Sequence, residues 1–316
     1  MYRNFYTGLL ALTFSLLCFP DLNAQDPADS PAIGRWNLEV QYGEIWLPSW
    51  LEVKLSGTKA LVGYFVASGG SARPISEVYD REGMISFSIP PQWSGNHDMH
   101  LTGTVTGNSI AGTILDHMGN ARKFRGNRAP ALLYPSPENW SAPRSLLAKG
   151  SLEGWTAQQT DKENQWFVKD GILTSPASGV NLMTTDTFKD FKLHIEFKYP
   201  EKSNSGVYLR GRYEVQVEDS YGKEPASIYL GGVYGFLSPN ENVAKKAGEW
   251  QSYDITLVGR RVTVVANGKT IIHNQIIPGI TGGALNSREA EPGPILLQGD
   301  HGPVEYRNIT ISIPSE

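Results

Sequence analysis

Between Gly34 and Gly126 the chain reads RWNLEV, SWLEVKL, ALVGYFV, ARPISEVY, MISFSIP, MHLTGTV, SIAGTIL and ARKFRG, short segments separated by turn residues. Their spacing of about ten residues, with no helix-length amphipathic pattern between them, predicts a small antiparallel β-barrel or sandwich over residues 30–130. A second series follows Leu146: QWFVKD, ILTS, FKLHIEFKY, SGVYLRG, YEVQVED, QSYDITLV, RVTVVA, KTIIHN, PILLQG and VEYRNITISI. Asn267-Gly268 between two of them is a strong hairpin signal, because both central residues of a type I′ turn need positive φ. Residues 131–144, punctuated by Pro135, Pro137 and Pro143, read as a linker or extended strap, and residues 145–316 as a second β domain. Only 19% of residues are charged, while glycines number 33 and prolines 20, so the fold class is all-β.

The net charge of −4 and the lack of a basic patch give no footprint for nucleic acid. Residues 1–24 have the form of a secretory signal: Arg3, the apolar run LLALTFSLLCF, then Leu22-Asn23-Ala24 before Gln25. That run is too short to span a bilayer, so an exported protein, periplasmic or extracellular, without a membrane span is expected. Cys18, the single cysteine, lies inside this signal with Leu17 before it, which disfavours a lipid anchor.

One stretch of the second block, NSGVYLRGRYEVQVEDSYG, separates its faces unusually. At period two, Val215 and Val217 share one side and Glu214, Gln216 and Glu218 the other; Val207 and Leu209 separate in the same way from Tyr208 and Arg210. An amide, carboxylates and a cation on one strand pair suit either a sugar-binding surface or a plain cross-strand ion pair. The segments 220–248 and 275–292 resist a strand reading and are long enough to be binding loops.

In order along the chain, Glu196 of the EFK motif, Asn204-Ser205-Gly206, Arg210-Gly211, Tyr213-Glu214-Val215-Gln216, Tyr234-Gly235, Trp250, Asn267-Gly268, Gln298, His301-Gly302 and Arg307-Asn308-Ile309 resemble the 3-keto-disaccharide hydrolase family, also known as domain of unknown function 1080. The resemblance covers about 170 residues and leaves out the first block. It implies a concanavalin-like, laminin-G-like jelly-roll β-sandwich, preceded here by the extra β domain, and a carbohydrate substrate oxidised at C3. It also implies an upstream sugar 3-dehydrogenase as a partner in supply. A C3 ketone acidifies the C2 hydrogen, so a base can remove it, the C1 aglycone can leave by β-elimination, and water can then add.

On that basis Glu214 is the first candidate for proton transfer, Arg210 for oxyanion stabilisation, and His301 in QGDHG for an alternative acid or base. Gln216 would recognise a hydroxyl, and Glu196 would orient Arg210 or bind a hydroxyl itself. Asn204, Tyr208, Tyr234, Gln298 and Asp219 complete the expected substrate-binding set. No HExxH or Cys/His ligand set occurs, but Glu214, Glu218 and Asp219 leave a divalent cation open. Two other readings of the same residues are a two-carboxylate glycoside hydrolase acting on unoxidised glycans and a non-catalytic carbohydrate-binding module.

Overall fold

The computed structural model describes residues 26–93 and 95–315. The signal segment 1–24, with Cys18, lies outside the described residues. Eight strands come first: β1 (Gly34–Tyr42), β2 (Ile45–Ser56), β3 (Ala60–Val66), β4 (Arg73–Arg81), β5 (Met84–Ile89), β6 (Met99–Thr106), β7 (Ser109–Leu115) and β8 (Ala121–Arg128). Each pairs antiparallel with the next, and β8 returns to β1, so the sheet closes into a barrel. Alternation explains the closure. Trp36, Leu38, Val40, Leu101, Ile110 and Phe124 point inward and fill the interior, while their neighbours face out. Closure also removes the two exposed edges that an open sheet would present.

The remaining strands are β9 (Arg144–Ser145), β10 (Trp155–Ala157), β11 (Phe167–Lys169), β12 (Ile172–Ser175), β13 (Leu182–Thr184), β14 (Phe191–Lys198), β15 (Asn204–Leu209), β16 (Tyr213–Glu218), β17 (Gln251–Val258), β18 (Arg261–Ala266), β19 (Lys269–Ile276), β20 (Leu296–Leu297) and β21 (Val304–Ser312). They form two packed sheets. One runs β10-β13-β20-β15-β16; the other runs β11-β12-β21-β14-β17-β18-β19, with β9 paired to β21. This is the expected β-sandwich. Asn267 and Gly268 both adopt positive φ between β18 and β19, as the hairpin signal requires. No helix among the described residues is long and apolar enough to cross a membrane.

In β14, Phe191, Leu193, Ile195 and Phe197 are buried between the sheets, and Lys192, His194, Glu196 and Lys198 face outward. In β15 and β16 nearly every residue is buried. Val207, Leu209, Tyr213, Val215 and Val217 enter the core. Their alternates lie on a face that the loops and the barrel cover. Strand β16 ends its sheet, and loop residues 231–234 shield this edge by pairing with it: the Gln216 amide donates to Gly232 O at 2.9 Å and the Tyr234 amide to Glu214 O at 3.0 Å.

The barrel is fused to the sandwich rather than tethered. Trp50 and Val66 belong to the sandwich core, and Trp50 meets Phe236 edge-on with ring centroids 5.2 Å apart. The Ser287 hydroxyl donates to Leu38 O at 2.6 Å. The proline-rich strap lies along the sandwich, where the Arg260 amide donates to Leu132 O and the Tyr134 hydroxyl to Asp190.

Candidate active site

A cleft of about 550 Å³ opens where the outer face of β15 and β16, the β20–β21 loop and the barrel meet. It falls within the size range of small-ligand sites. Period-two alternation brings Asn204, Tyr208, Glu214, Gln216 and Glu218 to its floor. Gln298, Asp300 and His301 enter from the segment after β20, and Tyr229 and Tyr234 from the loop that shields β16.

Glu214 stands at the centre with only 2% of its surface exposed. Its room comes from Gly206 on the adjacent strand: a methyl group there would lie 2.2 Å from Glu214 Oε1. Burial raises the Glu214 carboxyl to about 8, against smaller opposing effects of the Tyr208 phenol and His301. A carboxyl of that kind is protonated at neutral pH and can donate. Gly206→Ala is expected to push the carboxyl out of line and lower kcat/KM by about 10²-fold, read from steady-state rates on the folded variant.

His301 sits nearer the rim and shares a 2.5 Å hydrogen bond between Nδ1 and Asp300 Oδ1. That bond raises the imidazole from its ordinary value, desolvation opposes it, and the negative charge of Asp300 adds to the rise. With Nδ1–H donated to Asp300, Nε2 is left as the acceptor. Burial also raises Glu218, whose carboxylate accepts from the Asn204 amide. The Oε1 atoms of Gln216 and Gln298 are buried without a hydrogen-bond partner. Two unpartnered acceptors on one cleft floor are costly unless a ligand donates to them.

Three expected site residues lie elsewhere. Arg210 does not line the cleft: β15 ends at Leu209, Arg210 takes φ 54°, and its guanidinium turns inward to donate to Tyr213 Oη at 3.1 Å and Gly259 O at 2.7 Å. The turn breaks the alternation that would have aimed it beside Tyr208. Glu196 belongs to the other sheet, on its outer surface, where it accepts from Arg307 and Asn308, both at 2.7 Å. Asp219 lies one residue past β16, and its carboxylate accepts from the Lys202 amide at 2.8 Å. The trio Glu214, Glu218 and Asp219 is therefore split, and among the described residues no group of three His, Cys, Asp or Glu could hold a metal ion.

The cleft also contains residues that sequence reasoning missed. Asp300 could have been suspected from its place beside His301. Gly69, Gly70, Gln92 and Trp93 come from the barrel and Asn181 from a connection, and no local pattern marks them. Trp155 and Trp166 are core residues, with their indole N–H groups donated to Leu146 O and Val180 O.

A sandwich cleft lined by carboxylates, unpartnered amide oxygens and phenols offers the groups that hold sugar hydroxyls, as a carbohydrate-active β-sandwich protein requires. The model of the 3-keto-alpha-glucoside-1,2-lyase-like domain matches residues 143–312, and the chain belongs to this family. Among solved structures, a candidate glycosyl hydrolase from Parabacteroides distasonis is 28% identical, with 57% of this chain and 92% of that one covered and a TM-score of 0.47. A second candidate glycosyl hydrolase from the same organism is 26% identical over 54% and 98% of the two chains, with a TM-score of 0.43. β-Agarase A of Zobellia galactanivorans is 10% identical over 59% and 97%, with a TM-score of 0.38. A search of curated proteins found no match.

Proposed function

We propose that this protein cleaves 3-keto-glycosides by elimination and hydration, with His301 as the base at C2 and Glu214 as the acid at the leaving oxygen. The observation that carries the reading is the pairing of a fully buried Glu214 with a His301–Asp300 dyad in a cleft that also holds two unpartnered amide oxygens. His301 Nε2 takes the C2 proton, electrons move toward the C3 oxygen, the C1–O bond breaks, and Glu214 protonates the departing oxygen. The resulting carboxylate then takes a proton from water as it adds at C1, and His301 returns its proton to C2. Both groups end in their starting states. With Arg210 in the core, charge developing at the C3 oxygen falls to neutral donors, the side-chain Nε2 groups of Gln216 and Gln298.

A two-carboxylate glycosidase, whose carboxyl groups stand ~5–9.5 Å apart, would cleave the unoxidised glycan as readily as the keto sugar, so dependence on the C3 ketone separates the two reactions. The amino-terminal stretch supports export, and an oxidoreductase acting at sugar C3 would supply the substrate.

The active form has His301 neutral and Glu214 protonated, so kcat/KM should follow a bell. It falls on the acid side as His301 gains a proton and on the alkaline side as Glu214 loses one, near pH 8. Asp300→Asn removes the largest cause of the raised His301 value and is expected to move the acid limb to lower pH. An acid limb that stays in place would remove His301 as the base.

A further inference from the structure

The barrel is more than a neighbour of the cleft, because it supplies one wall. Gly282 and Gly70 approach so closely that a methyl group on Gly282 would lie 2.2 Å from Gly70 O, and the Gly283 amide donates to Ser68 O at 3.1 Å. Gln92 fixes the second barrel loop to the first: its Oε1 accepts from the Ser71 amide at 3.1 Å, and its Nε2 donates to Ser71 Oγ at 3.0 Å. Tyr234, on the sandwich side, lines the same cleft as Gln92. Next along this braced loop is Trp93, with 72% of its surface exposed, the most exposed large apolar side chain among the described residues.

An exposed indole in the lining of a cleft with polar groups has an evident use. It presents a flat apolar face to the solvent-filled space. A side cavity of about 200 Å³, which shares Gly69, Gln92 and Trp93 with the main cleft, continues beyond it. Glu214, Tyr234 and Trp93 line the same cleft, so a group bonded to the oxygen that Glu214 protonates has both aromatic side chains within that cleft to rest on.

We infer that Trp93 is the platform of a leaving-group subsite built by the barrel, which takes a second ring with a planar apolar face, either a pyranose or an aryl group. The inference deepens the proposed chemistry and rests on it for which ring reacts. It gives the extra domain a specificity role: the sandwich holds the reacting sugar, and the barrel selects what is attached to it. Aromatic rings suit this work because they offer a large rigid contact area at low entropic cost.

The test is binding of three unoxidised ligands, methyl glucoside, an aryl glucoside and a glucose disaccharide, to the wild type, Trp93→Ala and Trp93→Phe by calorimetry. Because Trp93 is exposed, the variants should keep the wild-type melting temperature. Trp93→Ala is expected to weaken the aryl glucoside or the disaccharide roughly tenfold, to leave methyl glucoside within about twofold, and to be largely rescued by Trp93→Phe. The larger ligand that loses affinity identifies the second ring as pyranose or aryl. Equal effects on all three, no effect on either larger ligand, or failure of both larger ligands to bind the wild type would overturn the subsite. Trp93-dependent binding without cleavage of any 3-keto-glycoside would instead leave the subsite standing and remove the proposed reaction.

Discussion

Glu214→Gln is expected to cut turnover of a 3-keto-disaccharide by roughly 10²–10⁴-fold while making the protein more stable at alkaline pH. Loss of turnover follows from removing the carboxyl proton that Glu214 gives the departing oxygen. It should be smaller for an aryl leaving group, which needs less protonation. The stability gain follows from linkage. The folded carboxyl lies near 8, above the ordinary value of 4.5, so the folded state binds the proton more tightly than the unfolded chain. Stability is complete at acid pH and is lost as pH rises from 4.5 through 8, by a total on the order of 5 kcal/mol if the carboxylate stays buried. Glutamine carries no such charge. Melting curves of the two proteins should separate at pH 9 and converge near pH 4, and full turnover of the variant would remove Glu214 from the chemistry.

Arg260→Met is expected to destabilise the fold by about 3–5 kcal/mol without touching the cleft. Arg260 and Glu289 form an ion pair in which neither side chain is more than 1% exposed. Arg260 also donates to Pro130 O at 3.0 Å and Pro278 O at 2.8 Å, and Glu289 accepts from the Tyr213 hydroxyl at 2.7 Å. The strap, the loop after β19 and the core of the cleft sheet thus meet at one pair. Removing the cation strands a buried carboxylate. Replacing Glu289 by Leu as well should recover much of the loss, because two apolar groups need no compensating charge. Denaturant unfolding of the single and double variants measures both effects, and a single variant as stable as the wild type would show that Glu289 reaches water or another donor.

Alternation was the legible part of this site. It placed Tyr208, Glu214 and Gln216 on one face, because a strand has only two faces and valines marked the other. It could not show where β15 ends, and Arg210 was misplaced for that reason: positive φ at an arginine has no signature in LRGRY. Glu196 shows a different limit. Its polar face was readable from FKLHIEF, but a sandwich has two outer faces, and sequence does not say which one bears the cleft. Asp219 continued the acidic run VED, yet one residue past the strand its side chain closes a turn. Gly69, Gly70, Gln92 and Trp93 were invisible because they reach the site only through packing of the barrel on the sandwich. The eight strands of the first domain were readable from their even spacing and alternation, but these fit a barrel or a sandwich alike, and only the pairing of β8 with β1 decides for closure.

The most direct measurement is product analysis after incubating the purified protein with a 3-keto-disaccharide and, in parallel, with its unoxidised parent. Elimination needs the acidified C2 hydrogen, so cleavage of the keto sugar with the parent left intact is the predicted result. Cleavage of the parent at a comparable rate would contradict it, because a reaction indifferent to the ketone does not pass through loss of the C2 proton.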